Sequence, residues 1–291
     1  MGNSTEDKIV DLIRTAATRL PDDVREALRN AHKNEEEGIG KLNIEAMLRS
    51  VDIAEREGVP ICQDTGSVTF YVKSSGPIKG IQQMLSRATA RATAEVPLRP
   101  NMVDVFTGEN SGNNLGELSP FVVWEPAVVS GSIELTVMLK GAGSDNQTAL
   151  AMLNPTEGME GIERFVLKRV VEAGGKSCPP TIVGIGLGGS SDVAVFLSKK
   201  ALLRPIGSRN PNARAADLET RLLEAINSTG IGPMGLGGRA TSLWVNVEYA
   251  HRHTASLPIA ISMSCWALRR ASMIVPESEI SFAEGTEAQQ R

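Results

Sequence analysis

The sequence has few aromatic residues, few cysteines and no excess of positive charge. Aromatic residues make up 4% of its 291 residues, so the core must rely on aliphatic residues, alanine, methionine and glycine. The 34 acidic residues outnumber the 30 basic ones, which argues against nucleic acid as the main partner, because nucleic-acid binding normally leaves a basic surface. No apolar run approaches the roughly 18 residues that a membrane span requires, and the opening residues lack the basic-then-apolar order of a signal peptide. These absences predict no membrane segment and no nucleic-acid partner.

The three cysteines are the most informative residues in the sequence. Cys62, Cys178 and Cys265 are odd in number, widely spaced and without a CxxC pair, so we expect no disulfide framework and a reducing, cytoplasmic location. Each lies at a strand or turn boundary, in PICQDTG, SCPPT and SMSCW. A lone cysteine is usually a small buried apolar residue, but three such contexts together favour a shared site.

The identity of a group held by these thiols stays open at this point. Zinc would usually need a fourth ligand, which His251 or His253 can provide. An iron–sulfur cluster usually takes four cysteines, and three would leave one iron open to bind a substrate hydroxyl as a Lewis acid.

Hydrophobic periodicity predicts a helix-rich mixed fold of the α/β or α+β class. Helical spacing covers residues 6–32, with a break at Pro21, and recurs later along the chain. Strand patterns alternate irregularly with these helices. Beyond residue 32 the predicted helices are 41–57, 77–94, 158–173 and 214–227. The predicted strands are 67–73, 121–124, 132–139, 241–249 and 258–263, and residues 178–203 are predicted to form a strand, a glycine loop and a helix. We expect an N-terminal helical segment, 1–40, packed on a main catalytic domain, 41–276, followed by an acidic tail, 277–291.

Several other motifs have both a functional and a purely structural interpretation. Gly184, Gly186 and Gly189 match the dinucleotide fingerprint, but the acidic residue expected about 20 positions later is missing. A close strand–helix packing, or an anion cradle at a helix N-terminus, is therefore preferred. Arg99, in a polar loop, can bind a carboxylate through two nitrogens, and imidazole or Asp64 can supply an acid.

Six stretches of the chain resemble one known enzyme family. In order along the chain they read GVPICQDTG, LRPN, KGAGSDN, CPPTIVGIGLGGSSD, GPMGLGG and HRHTASLPIAISMSC. They resemble the iron–sulfur hydro-lyases, that is, class I fumarases and L-tartrate dehydratases, and more narrowly their alpha-subunit catalytic region. The resemblance runs from about Gly58 to Cys265 and implies the alpha-type catalytic domain of these Fe-S hydro-lyases.

The resemblance implies a role for specific residues of this chain. Cys62, Cys178 and Cys265 would ligate a [4Fe-4S] cluster whose fourth iron binds the substrate. Gln63 and Asp64 would lie beside the substrate, Arg99 on a carboxylate, the backbone of Gly141 and Gly143 close by, and His253 next to the cluster. The implied catalytic residues are Asp64, His253 and Gln63. The loop departs from the family at Ala142 and Gln147, so the role of the loop lysine found in some members does not carry over.

The resemblance also implies a partner chain. Single-chain members continue into a second domain that supplies further arginines and the proposed base, whereas this sequence stops soon after its third cysteine. We therefore expect an alpha subunit in an αβ heteromer, with further dimerisation an open possibility, whose beta subunit completes the site for a small dicarboxylate substrate. Reversible hydration of fumarate to L-malate is the first hypothesis and L-tartrate dehydration the second. A non-catalytic Fe-S or zinc sensor is the alternative of another class.

Overall fold

The computed structural model describes residues 4–96, 98–127 and 131–280. The chain divides into two compact units, each discontinuous in sequence. The first comprises the described residues of Met1–Ala17, Ser67–Leu139 and Arg270–Arg291, and the second comprises Thr18–Gly66 and Lys140–Arg269. This division differs from the expected boundary at residue 40, because the first helix belongs to one unit and the next two belong to the other. The predicted acidic tail lies outside the described residues from 281 onward.

Eight α-helices are found in the described part of the chain, and they follow the hydrophobic spacing closely. Pro21 precedes the second helix, whose first turn carries Asp22 and Asp23, as suits the positive end of a helix dipole. Gly58 ends the third helix in the left-handed conformation, with φ 65°. The helices are α1 Thr5–Thr18, α2 Asp22–Asn34, α3 Ile39–Glu57, α4 Ile81–Glu95, α5 Ala142–Asp145, α6 Gly158–Ala173, α7 Ser191–Ala201 and α8 Ala213–Asn227. Within the ranges described, no helix is both long and apolar enough to cross a membrane.

The described strands form two four-stranded sheets, one in each unit. They are β1 Ser67–Ser74, β2 Phe121–Pro126, β3 Ser132–Lys140, β4 Ala149–Leu153, β5 Thr181–Gly189, β6 Ser242–Arg252, β7 Leu257–Ser264 and β8 Arg269–Pro276. The first sheet has the order β2-β1-β3-β8 and the second the order β4-β7-β5-β6. In the second sheet, β5 is parallel to β6 and antiparallel to β7, and β4 is antiparallel to β7. The mixed α/β class is confirmed.

The first unit buries one face of its sheet under α1 and α4. Alternate residues of β1 and β3, such as Phe70 and Leu135, pack with Ile13 of α1 and Leu85 of α4. Alternation of this kind is the period of a strand with one covered face. The polar loop that carries Arg99 also belongs to this unit.

The second unit covers both faces of its sheet. On one face Val183 and Ile185 of β5 share a core with Val166 of α6 and Leu222 of α8. Opposite them, Gly184 and Gly186 face α7. A Cβ on Gly186 would lie 2.0 Å from the carbonyl oxygen of Ala194, and one on Gly184 would lie 2.1 Å from that of Ser198. The glycines therefore allow α7 to lie directly on β5, which is the structural interpretation of the fingerprint motif.

Three short elements were not predicted from the sequence. They are α5 and the strands β4 and β8. All five residues of β4 are apolar, so its sequence does not alternate although its burial alternates between intermediate and exposed. Strand β8 opens with two arginines, which are rare in buried strands.

Candidate functional site

Cys178 and Cys265 lie at the same end of the second sheet. Cys178 precedes β5 and Cys265 follows β7, and these strands are antiparallel, with Ile182 opposite Ser264. The two cysteine segments also bond directly, because the Trp266 N–H donates to the Cys178 carbonyl oxygen at 3.2 Å. Strand polarity thus brings together two thiols that are 87 positions apart in sequence.

The backbone around Cys178 is held in an unusual conformation. Cys178 has φ 52° and ψ 65°, in the left-handed region, which costs a non-glycine residue of order 1 kcal/mol or more. Its N–H donates to the Gly175 carbonyl at 3.0 Å, and the Met234 N–H donates to the carbonyl of the following Pro179 at 2.8 Å. The glycine-rich loop before β6 therefore braces the Cys178 turn.

The Cys62 loop is fastened to the segment that follows β3. A Cβ on Gly66, which has φ 84°, would lie 2.7–2.8 Å from the backbone of Lys140, so only glycine permits this approach. The Asp64 carboxylate accepts from Gly66 N–H at 3.0 Å and from Ala142 N–H at 2.9 Å. One Asp64 carboxylate oxygen therefore closes the Cys62 loop on itself, and the other holds this loop against Ala142.

Gly141 and Gly143 lie in this same contact region. A Cβ on Gly141 would lie 3.0 Å from an Asp64 carboxylate oxygen, and one on Gly143 would lie 3.3 Å from the carbonyl oxygen of Lys176. Lys176 is two residues before Cys178. The glycine segment thus lies between the Cys62 loop and the Cys178 turn.

The electrostatics of the thiols indicate that all three are neighbours. Burial raises the pKa of the Cys178 thiol, and negative charge on Cys265, Cys62 and Asp64 raises it further. Burial also raises the pKa of Cys265, against the opposing effect of Arg269. In the metal-free chain both thiols are therefore protonated at neutral pH, and a metal group has to displace their protons.

Two buried cations lie beside the thiols. Among the residues described, Lys140 and Arg269 are the only buried lysine and arginine, at 5% and 1% exposure. Lys140 Nζ donates to the Met263 carbonyl at 2.5 Å and pairs with Asp145 at 3.5 Å, while burial lowers the pKa of Lys140. Arg269 Nη1 donates to the Asp64 carbonyl oxygen at 2.6 Å. Sequence reasoning missed both residues, although Lys140 ends a strand next to a glycine motif already noted and Arg269 begins a strand just after the third cysteine.

His253 does not lie beside the cysteines of its own chain. β6 runs parallel to β5, and Arg252 pairs with Gly189 at the far end of the sheet. Because β5 has nine residues, about 3.3 Å each, the two ends are roughly 26 Å apart. His253 is exposed there and its Nδ1 accepts from Ala255 N–H at 3.1 Å. The expected position next to the cluster is corrected accordingly.

The two remaining predicted residues have exposed side chains. Gln63 is exposed, next to Cys62 in the same loop. Arg99 is also exposed, in the first unit. Its contact with a substrate carboxylate stays a prediction.

The thiols form a donor set that suits an iron–sulfur cluster. Within residues 4–96, 98–127 and 131–280, no three histidine, cysteine, aspartate or glutamate side chains are arranged to bind one metal ion. A cluster has a different requirement, because each cysteine takes a separate iron. Arg269 Nε is buried and has no hydrogen-bond partner among the described residues. A donor of this kind beside three thiols fits an anionic group bound between them.

Three thiols and two buried cations at one end of a mixed sheet make this a candidate metal centre. Residues 6–274 match the family model described as Fumarate hydratase (Fumerase), and the chain belongs to this family.

Named relatives cover nearly the whole chain. A Methanocaldococcus jannaschii protein, provisionally named L(+)-tartrate dehydratase subunit alpha, is 49% identical over 271 residues, which are 91% of this chain and 95% of the relative. The L(+)-tartrate dehydratase subunit alpha of Escherichia coli K12 is 38% identical over 283 residues, 96% of this chain and 93% of the relative.

Proposed function

We propose that this chain is the alpha subunit of an iron–sulfur hydro-lyase that adds water to fumarate to give L-malate and catalyses the reverse reaction. The family match supports the reaction class. The single structural observation that carries the proposal is the meeting of Cys178, Cys265 and the Cys62 loop at one end of the sheet. The free thiols also suit a reducing cytoplasm.

Cys62, Cys178 and Cys265 would hold a [4Fe-4S] cluster. When bound, such a cluster supplies an open iron that acts as a Lewis acid on the substrate hydroxyl. The buried charges of Lys140 and Arg269 suit this role, since thiolates that are partly removed from water need compensating positive charge.

The chain's own side chains bind and orient the substrate in this proposal. Asp64 lies between the Cys62 loop and Ala142, where its carboxylate can hold a proton next to the thiols. The Gly141–Gly143 backbone and the exposed Gln63 offer hydrogen bonds, and Arg99 offers a two-nitrogen contact to a carboxylate. We give His253 no step here, because in its own chain it lies at the opposite end of the sheet from the thiols.

A partner subunit would complete the site. The relatives are named as alpha subunits, which supports an αβ heteromer here. We assign the base that removes the C3 proton to the beta subunit, and we leave the number of αβ pairs to measurement.

L-tartrate dehydration is the second candidate reaction, because both relatives carry that name. L-malate and L-tartrate differ by one hydroxyl. A single polar contact can discriminate between them, because a site built to bond a hydroxyl rejects the analogue that lacks it.

Anaerobic reconstitution with iron and sulfide tests the cofactor. We expect the absorbance of a [4Fe-4S] centre, lost in Cys178→Ala and kept in Ser177→Ala, the matched neighbour. One tightly bound zinc with no iron would refute the cluster assignment and favour the hypothesis of a non-catalytic sensor.

A paired assay tests the reaction. The chain is co-expressed with its beta subunit, and L-malate and L-tartrate are supplied in parallel to the cluster-loaded complex. Fumarate formation from malate supports the first candidate, and turnover of tartrate alone supports the second. Inactivity toward both substrates would refute the hydro-lyase assignment.

A further inference from the structure

The two buried cations each contact a different cysteine segment. Arg269 donates to the Asp64 carbonyl in the Cys62 loop, at 2.6 Å. Lys140 donates to the Met263 carbonyl, two residues before Cys265, at 2.5 Å. Because the two bonds end on different segments, the effects of the two cations are separable by experiment.

Arg269 connects the Cys62 loop to the segment after Cys265. The Cys62 loop has no strand or helix of its own between Gly58 and Ser67, all of which the structure describes. Its attachments include the close approach of Gly66 to Lys140, the bond that the Asp64 carboxylate accepts from Ala142 N–H, and the bond from Arg269. The Arg269 bond and the Ala142 bond to the Asp64 carboxylate are both charge-assisted. The Arg269 bond is partly buried whereas the Ala142 bond is exposed, so water weakens the Arg269 bond less.

Lys140 fastens the end of β7. The neighbouring strand β4 stops opposite Ile261, so the last residues of β7 have a strand partner on one side only. Lys140 Nζ reaches Met263 just beyond that point, and Asp145 pairs with both Lys140 and Lys199. Asp145 therefore keeps the charged end of Lys140 in place.

We propose that Arg269 and Lys140 are two positioning residues of the thiol site, Arg269 for the Cys62 loop and Lys140 for the Cys265 segment. In doing so they bring positive charge to a group that three thiolates would make anionic. This inference rests on the proposed function for its metal readout, but not for its structural readout.

Amide hydrogen exchange in the full metal-free chain gives the structural readout. In Arg269→Met we expect exchange within 58–66 to be at least tenfold faster and exchange within 262–267 to be within twofold of the parent. In Lys140→Met we expect the reverse pattern. Local opening is what such exchange reports.

Lys199→Met is the matched control for Lys140→Met. It removes the same kind of charge from the same Asp145, but Lys199 lies on α7 and is 37% exposed. In Lys199→Met the amide hydrogens of 58–66 and of 262–267 should both exchange at the rates of the parent chain. Arg269→Lys retains charge and one donor but loses the planar fork, and we expect it to recover most of the protection of 58–66.

Iron retention in the cluster-loaded chain gives the second readout. Loss of iron to a chelator should be about tenfold faster in Arg269→Met and Lys140→Met, and near the parent rate in Lys199→Met and Arg269→Lys. Equal loosening of both segments in both variants would overturn the proposal, as would unchanged exchange in 58–66 for Arg269→Met. If the parent chain binds no iron at all, the proposed function fails, and the exchange pattern alone still decides the positioning roles. Should Arg269→Met not fold, Arg269→Lys and Arg269→Gln are compared in the same way.

Discussion

Gly186 offers a sharp test of why the glycine motif is present. A Cβ at this position would lie 2.0 Å from the Ala194 carbonyl oxygen and 2.6 Å from the Ser198 nitrogen. Both atoms belong to the backbone of α7, so no side-chain rotation relieves the contact. Real Cβ atoms essentially never approach closer than 3.0 Å, and α7 would therefore have to move by about 1 Å in Gly186→Ala.

The displacement of α7 sets the size of the effect. Over-packing costs roughly 1–3 kcal/mol, and a gap of 0.5–1 Å elsewhere along the α7–β5 contact forfeits about a quarter to a half of each dispersion contact. We expect Gly186→Ala to lower the free energy of unfolding by about 2–4 kcal/mol, measured by urea denaturation.

Gly76→Ala is the control for this substitution. Apart from its chain neighbours, no heavy atom of the described residues lies within 4 Å of the position that a Cβ would take, and the φ of Gly76 is not in the left-handed region. We therefore expect a change within about 0.5–1 kcal/mol, in the stabilising direction. A loss below about 0.5 kcal/mol in Gly186→Ala would refute the packing argument. Thermal stabilisation of the parent chain by a dinucleotide, abolished in Gly186→Ala, would instead restore the nucleotide-binding hypothesis.

Three further predictions follow from buried or paired charges. Glu219 is fully buried and accepts hydrogen bonds from Arg204, from Val247 N–H and from Asn210 N–H, so Glu219→Gln should lower the free energy of unfolding in urea by about 2–4 kcal/mol. The control is Glu248→Gln, at a carboxylate 27% exposed that pairs with the same Arg204, and it should cost under about 1 kcal/mol. Equal losses in the two variants would contradict the argument. Burial raises the pKa of Glu6, but the hydrogen bonds of Arg87 and Arg91 outweigh this effect and lower it. The resulting stabilisation is present at neutral pH and lost as pH falls through the folded-state pKa, below about 4.5. The difference in urea midpoint between the parent and Arg91→Gln should therefore shrink from pH 7 to pH 3, and a constant difference would contradict this prediction. Because burial raises the pKa of Cys178 and Cys265, iron and sulfide should load faster at about pH 8.5 than at about pH 7, as followed by absorbance; a rate independent of pH would speak against protonated thiols.

The sequence by itself predicted most of the regular elements. The predicted helix 158–173 coincides with α6, and 41–57 and 214–227 agree with α3 and α8 within two residues. These segments have clear 3.6-residue periodicity and strong ends, such as Gly58, which are local properties of the chain. The three cysteines were also singled out from local context alone, because proline, glycine and acidic neighbours are unusual around a core cysteine.

Only the tertiary structure decided which of these residues meet. Periodicity reports which face of a strand is buried, but not whether the strand runs parallel or antiparallel to its neighbours. The antiparallel pairing of β5 with β7 puts Cys178 and Cys265 together, while the parallel pairing of β5 with β6 sends His253 to the other end. The positions of Arg269 and Lys140 beside the thiols could not be predicted for the same reason, because their partners, Asp64 and Met263, are 205 and 123 positions away. The sequence suggested the thiol site and wrongly placed His253 beside it. Long-range strand pairing puts His253 at the other end of the sheet in its own chain.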